Sequence, residues 1–243
     1  MKLFIIRHAQ SANNVMAEAI SYNDYMAQRV PEPPITELGF QQAELVARHI
    51  ACEDQANEDQ QTAGDGYGFT RLLVSPMLRT LQTAWPLSQA LGLAPEVWVT
   101  IHEQGGMFAG NPHQGEVTNF PGLTRSEMLT NFPGVQLPSE VTEQGWWFGG
   151  YEEMATCVAR AVQAAQTLRQ WAPTMPDARI ALVSHGTFAD ALIKTLCQLP
   201  NEHPIYFSHY NTAITRLDFL AEGYLALRYT NRTQHLQPAL LTR

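Results

Sequence analysis

Short apolar runs alternate along this chain with segments of helical periodicity, and that alternation is the main constraint on its fold. Four runs of four to six mostly apolar residues are typical of strands buried in a parallel sheet; they are residues 3–6, Arg71–Ser75, Val97–Thr100 and Arg179–Ser184. Between them, apolar residues recur at helical spacing over residues 40–50, 78–91, 154–168 and 188–199. This order predicts an α/β fold, a three-layer α/β/α sandwich with a mostly parallel central sheet.

Two further features depart from the alternation. The runs Ala213–Phe219 and Tyr224–Tyr229 flank a four-residue turn, which predicts a hairpin and one antiparallel edge strand. Residues 104–150 are irregular, rich in Gly and Pro, and contain six Phe and Trp residues. Because long loops of this kind are lids, binding loops or small subdomains, we expect one domain, residues 1–243, with an inserted lid or subdomain at about 104–150. The acidic residues 52–68 are expected to form a solvated surface loop without chemistry.

Charge and cysteine content exclude several classes of partner. The 243 residues include 15 Lys and Arg against 23 Asp and Glu, a net charge of −8, which argues against nucleic acid or anionic membranes as ligands. Only two of the cations are lysines, so guanidinium groups must bind any anionic ligand. Three widely spaced cysteines, no apolar run of membrane length and no signal-peptide core favour a cytoplasmic protein. The sequence does not define an oligomeric state.

Polar residues with useful chemistry follow each apolar run. In an open α/β sheet the ligand binds beyond the carboxyl ends of the strands, and these positions carry Arg7-His8, Ser75-Pro76 with Arg79, His102-Glu103 and His185-Gly186. Two imidazoles, two guanidiniums and one carboxylate are therefore expected to converge. No metal and no cofactor is expected, because five further histidines lack metal-ligand spacing and are assigned to surface or packing positions; they are His102, His113, His203, His209 and His235.

These segments resemble the motifs of the histidine phosphatase superfamily, in the branch (branch 1) that includes cofactor-dependent phosphoglycerate mutases. Residues 7–14, Arg-His-Ala-Gln-Ser-Ala-Asn-Asn, are similar to Arg-His-Gly-Glu-Ser-x-x-Asn, with Ala9 and Gln10 in the Gly and Glu positions. Further matches are residues 35–39 to Leu-Thr-x-x-Gly, 75–84 to Ser-Pro-x-x-Arg-x-x-x-Thr-Ala and 183–186 to Val-(Ser/Thr)-His-Gly. The resemblance implies a phosphoglycerate mutase-like fold, a phosphohistidine on His8, and His185 in the phosphate pocket.

Phosphoryl transfer explains the choice of these residue types. The transferring group spreads negative charge over three oxygens, which Arg7 and Arg79 can hold with fixed donors. His8 is expected to be the nucleophile as a neutral imidazole, its pKa lowered by both guanidiniums. Backbone amides at the start of the helix that follows His185 favour binding of an anion. The imidazole of His185 is expected to donate a hydrogen bond to the phosphate.

Three other residues complete the expected site. Glu103 is expected to protonate the leaving oxygen and then to activate water, and Ile101-His102-Glu103 is similar to the family's Leu-x-Glu. Asn14 and the amide of Gly186 are expected to contact phosphate, although an asparagine in a loop equally often caps its own backbone. Thr187 and Asp190 have the spacing of a helix-capping pair.

The sequence therefore predicts a metal-independent phosphatase that acts through a phosphohistidine on a small phosphorylated metabolite or a phosphoprotein. Two alternatives stay open. The first is a mutase; family mutases resemble one another in a basic stretch after the glutamate, whereas residues 104–150 here hold one arginine, Arg125, and no lysine. The second is a non-catalytic module that binds phosphorylated ligands, against which the presence of His8, Glu103 and both arginines argues.

Overall fold

The secondary structure follows the alternation seen in the sequence. The computed structural model describes residues 1–59 and 66–243, and the side chains of residues 55–59 are not considered. In this part of the chain the strands are β1 (Lys2–Arg7), β2 (Arg71–Val74), β3 (Pro95–Val97), β4 (Phe108–Ala109), β5 (Thr118–Asn119), β6 (Arg179–Ser184), β7 (Ile214–Phe219) and β8 (Leu225–Arg232). The helices are α1 (Ala12–Ala19), α2 (Tyr22–Gln28), α3 (Glu37–Asp59), α4 (Leu78–Leu91), α5 (Arg125–Asn131), α6 (Met154–Thr174) and α7 (Gly186–Leu196).

Six strands form one sheet in the order β3-β2-β6-β1-β7-β8. The four strands β3, β2, β6 and β1 are parallel, β7 runs against β1, and β8 completes the hairpin outside β7. Side chains of β1 alternate between the two faces, with Phe4 and Ile6 packed among residues of α3 and α4, and Leu3 and Ile5 among residues of α6 and α7. The predicted three-layer α/β/α sandwich with a mostly parallel sheet is confirmed.

The third strand lies earlier in the chain than predicted. The expected strand Val97–Thr100 is replaced by β3, which ends at Val97, and by a 3-10 turn over Val99–Ile101. β3 ends at the same level as β2, the strand beside it, because Val74 is the last residue of β2 and pairs with Val97. Beyond that point the amide of His102 bonds back to the carbonyl of Val99, 3.3 Å away, and the chain turns toward the rim of the sheet.

The acidic segment 52–68 is also different from the prediction. Its first part continues α3 as far as Asp59, because this stretch contains no Gly or Pro before Gly64 to stop the helix. Glu53 lies on the exposed side of the helix, so solvation of these acidic residues does not require a loop. Residues 60–65 of the predicted loop lie outside the described residues, and residues 66–68 have no regular secondary structure, as predicted.

Residues 104–150 contain the β4–β5 hairpin and α5, and they pack against the sheet side that carries α3 and α4. Met107, Met128 and Trp146 are buried in the same apolar cluster as those helices. Gln136 bonds through its backbone to Pro95 and Val97 of β3, so the segment also covers that edge of the sheet. Within the described residues, no helix combines the length and the apolar character needed to span a membrane.

Candidate active site

The two predicted histidines come together at the carboxyl ends of adjacent strands. Arg7, the last residue of β1, pairs with Ser184, the last residue of β6, so His8 and His185 follow neighbouring strands at the same level. Their ring centroids lie 5.3 Å apart. The parallel pairing of β1 with β6 therefore joins residues that are remote in the sequence.

His8 is buried as a neutral imidazole with a defined tautomer. Its Nδ1 lies 2.7 Å from the carbonyl oxygen of Ala9, and because a carbonyl only accepts, Nδ1 carries the proton. Nε2 then keeps a lone pair, and it has no hydrogen-bond partner in the described part of the chain. Burial, and then the positive charges of Arg79 and Arg7, hold the pKa of His8 well below its ordinary 6.5.

His185 is also neutral and fully buried. Its Nε2 lies 2.7 Å from the hydroxyl of Ser75, which follows β2, while its buried Nδ1 has no partner among the described residues. Burial lowers the pKa of His185 well below 6.5, and the charge of Arg79 lowers it further. If Ser75 donates its hydroxyl proton to Nε2, Nδ1 is the ring atom with a proton to donate.

Arg7 and Arg79 lie beside these rings with donors to spare. Arg7 donates from Nη1 to the carbonyl of His209 at 2.5 Å, and its buried Nε has no partner in the described residues. Arg79 lies in the first turn of α4, is only 8% exposed, and donates no side-chain hydrogen bond to any described residue. Two buried cations with unused donors are a cost to the free protein that a bound anion removes.

Glu103 lies at the amino terminus of α7. Its carboxylate accepts hydrogen bonds from the backbone amides of Gln104 (2.9 Å), Phe188 (3.0 Å) and Thr187 (3.2 Å). Glu103 thus caps α7 from another part of the chain and is brought next to His185.

The predicted capping pair Thr187 and Asp190 is wrong, because Glu103 occupies that position. Asp190 instead accepts from the amide of Phe207 at 2.8 Å and pairs with Lys194, also at 2.8 Å. A buried carboxylate is better satisfied by a charged partner one turn along the helix than by an amide already bonded to Glu103.

Asn14 and Gly186 are placed at the same rim. The Oδ1 atom of Asn14 accepts from Ser11 in the capping box of α1, and its Nδ2 atom makes no hydrogen bond in the described residues. Gly186 is the first residue of α7, and a Cβ atom added there would lie 3.6 Å from Nε of Arg7. This distance is ordinary van der Waals contact, so the position does not require glycine on steric grounds.

Glu152, two residues before α6 begins, is buried in an ion pair with Arg160. Its carboxylate accepts two hydrogen bonds from Arg160, of 2.7 and 2.5 Å, and lies 3.7 Å from Nε2 of His102. Arg160 also donates to the carbonyls of Thr100 and His102. The pair therefore holds the turn that precedes Glu103, and His102 packs there against two tryptophans, as its predicted packing role implies.

Removing one partner of this pair is expected to destabilise the fold. Arg160→Met leaves the Glu152 carboxylate buried without compensation, at a cost of about 3 to 5 kcal/mol in the free energy of unfolding. Denaturant unfolding at neutral pH measures it. Arg48→Met, in an exposed pair with Glu44, is the control and is expected to cost less than about 1 kcal/mol.

The same pair predicts the pH dependence of that difference. Burial, the largest single effect, raises the pKa of Glu152, but the hydrogen bonds and charges of Arg160 and His102 together outweigh burial and hold that pKa below the ordinary 4.5. Stability from the pair is thus present above the unfolded pKa and is lost as pH falls through the folded pKa. An equal loss for Arg160→Met at neutral pH and below that pKa contradicts the argument.

Three residues at the site carry no signal in the sequence. Arg29 follows α2, Glu32 lies in the proline-rich connection before α3, and Tyr206 lies beyond α7 with its hydroxyl 3.8 Å from the added Cβ position of Gly186. Glu32 accepts from the amide of Leu78 at 2.8 Å, and burial raises its pKa to about 7 against the lowering effect of Arg79. No motif or periodicity covers these positions.

The site combines an Arg-His pair at the end of β1 with a second histidine after β6, on a mostly parallel sheet. Together these features indicate a phosphoryl-binding class of protein, and comparison with known proteins indicates the same class. Residues 3–232 match the family model of the histidine phosphatase superfamily (branch 1), and the chain belongs to this family. The resemblance stated from the motifs is thereby confirmed.

Relatives and structural neighbours agree with this family. A Yersinia pestis protein that carries the name probable phosphoglycerate mutase is 24% identical over 245 residues, which cover 99% of this chain and 97% of that one. Mycobacterial glucosyl-3-phosphoglycerate phosphatase, solved with VO3, is similar with a TM-score of 0.61 and 21% identity, covering 96% of this chain and 99% of that chain. Entamoeba histolytica phosphoserine phosphatase, solved with 3-phosphoglyceric acid, has a TM-score of 0.59, 20% identity and coverage of 97% and 99%. These likenesses confirm the predicted phosphoglycerate mutase-like fold.

Proposed function

We propose that this protein hydrolyses phosphate monoesters through a phosphohistidine formed on Nε2 of His8. The observation that carries the proposal is the state of that atom. His8 is neutral, its Nδ1 proton is bound to the Ala9 carbonyl, and Nε2 keeps its lone pair beside the charges of Arg7 and Arg79. A neutral imidazole is not repelled by a phosphate dianion, as an anionic nucleophile would be. The two guanidiniums offset the negative charge of the phosphate during the attack.

In the first step, Nε2 of His8 attacks phosphorus in line with the ester oxygen. The P–N bond forms as the P–O bond breaks, and the bonding pair goes to the leaving oxygen, which takes a proton from Glu103. Arg7, Arg79 and Nδ1–H of His185 donate to the phosphoryl oxygens, which removes the need for a metal to neutralise their charge. The alcohol leaves, and Glu103 remains as a carboxylate.

In the second step, water attacks the phosphohistidine. Glu103 takes the proton of the water as the P–O bond forms, the P–N bond breaks, and its electron pair returns to Nε2 of His8. Inorganic phosphate leaves and the starting protonation of both residues is restored. Nδ2 of Asn14 and the amide of Gly186 supply further donors to the phosphate in both steps.

The part of the substrate beyond the phosphate is assigned to the inserted segment 104–150 of a single domain, residues 1–243. Phe108 of this segment packs on Gly105, two residues after Glu103. One structural neighbour is solved with 3-phosphoglyceric acid, and both reported neighbours are named for phosphorylated small molecules, which favours a small phosphorylated metabolite over a phosphoprotein.

Turnover of p-nitrophenyl phosphate in EDTA, at mildly acidic to neutral pH, tests the proposal. We expect release of p-nitrophenolate and, after a rapid alkaline quench, a phosphoryl group on His8 that is stable to alkali and labile to acid. No turnover and no phosphohistidine, with phosphate esters nevertheless bound, would assign the protein to the non-catalytic modules.

A mutase is the second candidate, and the name of the Yersinia pestis relative favours it. A mutase must protect its phosphohistidine from water and return the group to a second hydroxyl. Arg125, which is the arginine of residues 104–150, donates to the carbonyls of Pro138 and Val141 and so supports the segment itself. With 3-phosphoglycerate we expect inorganic phosphate as the main product; 2-phosphoglycerate as the main product decides for the mutase.

The charge of Arg79 is expected to control the titration of His8. Removing it in Arg79→Met raises the pKa of His8, because a neighbouring cation disfavours the imidazolium and its loss favours it. NMR titration of the imidazole in the free enzyme measures this shift. Arg48→Met, which removes an exposed cation on α3, is the control and is expected to leave the titration unchanged. A wild-type His8 that titrates near its ordinary 6.5 contradicts the proposed nucleophile.

A further inference from the structure

Arg29 is a half-buried cation whose guanidinium makes no hydrogen bond or ion pair with any described residue. Of the buried and half-buried arginines that the structure describes, all but Arg29 and Arg79 donate a side-chain hydrogen bond to a carbonyl or carboxylate. Nε of Arg29 is sealed from solvent and still unbonded among these residues. Arg79 is the arginine assigned to the phosphate. Arg29 shares its unbonded guanidinium donors, which is the property expected of an arginine that binds a ligand.

The position of Arg29 places it beside the proposed reaction centre. Its Cζ atom lies 3.7 Å from the ring centroid of Phe108. That ring packs against Gly105, where an added Cβ atom would come 2.5 Å from it, and against Tyr151 at 4.8 Å between ring centroids. Arg29 is therefore one aromatic ring away from the turn that carries Glu103.

The electrostatic environment of Arg29 overlaps that of Arg79. Burial lowers the pKa of Arg29, and the charge of Arg79 lowers it further. Tyr25 and Glu103 raise the pKa of both guanidiniums. Glu103 is already bonded to three backbone amides. Glu32 also raises the pKa of Arg79, yet no described carboxylate is hydrogen-bonded to either guanidinium, so both cations keep donors for an anion next to the phosphate site.

The contact with Phe108 leaves the two Nη groups of Arg29 available to a ligand, whereas Nε is sealed from solvent. Stacking on Phe108 uses the flat face of Arg29 and fixes its plane, whereas the N–H groups point outward in that plane. Parallel N–H groups of this kind bind both oxygens of a carboxylate or of a phosphate. A packing role alone would be served by an uncharged side chain of the same length.

We propose that Arg29 binds a second anionic group of the substrate, so that the preferred substrates are small phosphate monoesters that also carry a carboxylate or a second phosphate. This inference rests on the proposed function, because it places the first phosphate at His8. It adds a cation to the site from the connection after α2, outside residues 104–150, whose one arginine is Arg125.

Three substrates of equal chain length test the inference: propyl phosphate, 3-phosphonooxypropanoate with a terminal carboxylate, and propane-1,3-diol bisphosphate with a terminal phosphate. In the wild-type enzyme we expect kcat/KM for at least one charged substrate to exceed that for propyl phosphate by about 10- to 100-fold, the value of one charge-assisted hydrogen-bonded contact. In Arg29→Met the ratio is expected to fall to about 1, and in Arg29→Lys to an intermediate value. The two charged substrates distinguish a carboxylate site from a phosphate site.

Arg232→Met is the matched control, because Arg232 also stacks on an aromatic ring at 3.7 Å, that of Tyr229, but lies at the end of the edge strand β8. It is expected to keep the wild-type ratio. Wild-type hydrolysis of propyl phosphate without a preference for either charged substrate, or an unchanged ratio in Arg29→Met, overturns the role of Arg29 and leaves the phosphatase proposal intact. Failure of the wild type to hydrolyse propyl phosphate and p-nitrophenyl phosphate alike overturns the proposed function first.

Discussion

Replacement of His8 by alanine is expected to lower turnover of phosphate monoesters by about 10⁴-fold or more, because it removes the atom that forms the covalent intermediate. The remaining guanidiniums and His185 still bind phosphate, so the loss is expected in kcat with little change in affinity for inorganic phosphate. Steady-state kinetics with p-nitrophenyl phosphate measures the loss, and an alkaline quench measures the phosphohistidine. In His8→Ala no phosphohistidine is expected.

His185→Ala and His113→Ala are informative controls for this result. His185→Ala removes a donor to the phosphate and is expected to slow formation of phosphohistidine on His8 without abolishing it. His113 is exposed, so His113→Ala is expected to behave like the wild type. If phosphohistidine persists in His8→Ala and disappears in His185→Ala, the nucleophile is His185 and the proposed roles of the two imidazoles must be exchanged.

Glu103→Gln is expected to have the second largest effect, and that effect depends on the leaving group. For propyl phosphate, whose alkoxide needs a proton, kcat/KM is expected to fall by about 10²- to 10⁴-fold. For p-nitrophenyl phosphate, whose phenolate leaves unprotonated, kcat/KM is expected to fall far less, because this constant reports the steps up to formation of the phosphohistidine. The phosphohistidine is expected to accumulate, since the variant lacks a base for its hydrolysis.

An equal loss for both substrates contradicts a proton-donor role. Glu103 then contributes through structure, because its carboxylate caps the amides of Thr187 and Phe188. Thermal unfolding of Glu103→Gln separates the two contributions: the amide side chain keeps one acceptor oxygen for these N–H groups, so only a small fall in Tm is expected.

The convergence of the site residues follows from simple rules applied to the sequence. The runs that became β1, β2 and β6 were recognisable by their apolar character, and polar residues at the carboxyl ends of parallel strands share one edge of the sheet. The 5.3 Å between the rings of His8 and His185 agrees with that expectation. The roles proposed for these residues stay predictions until the variants are measured.

Predictions failed where a choice between local partners depended on the tertiary structure. Asp190 has the right spacing to cap α7, but Glu103, from the turn after β3, reaches the same amides first. The end of β3 at Val97 is set by the end of β2, its hydrogen-bonded neighbour, and no local signal in residues 97–100 shows it.

By itself the sequence determined the fold class, the order of the main elements and the edge of the sheet at which His8, Arg79, Glu103 and His185 meet, because periodicity and strand direction are local properties with a single geometric consequence. The proton on Nδ1 of His8, the cap that Glu103 forms on α7, and the position of Arg29 beside Phe108 without a hydrogen bond to any described residue came from the tertiary structure alone. These features depend on burial and on contacts between segments remote in the chain, and burial and remote contacts have no local pattern in a single sequence.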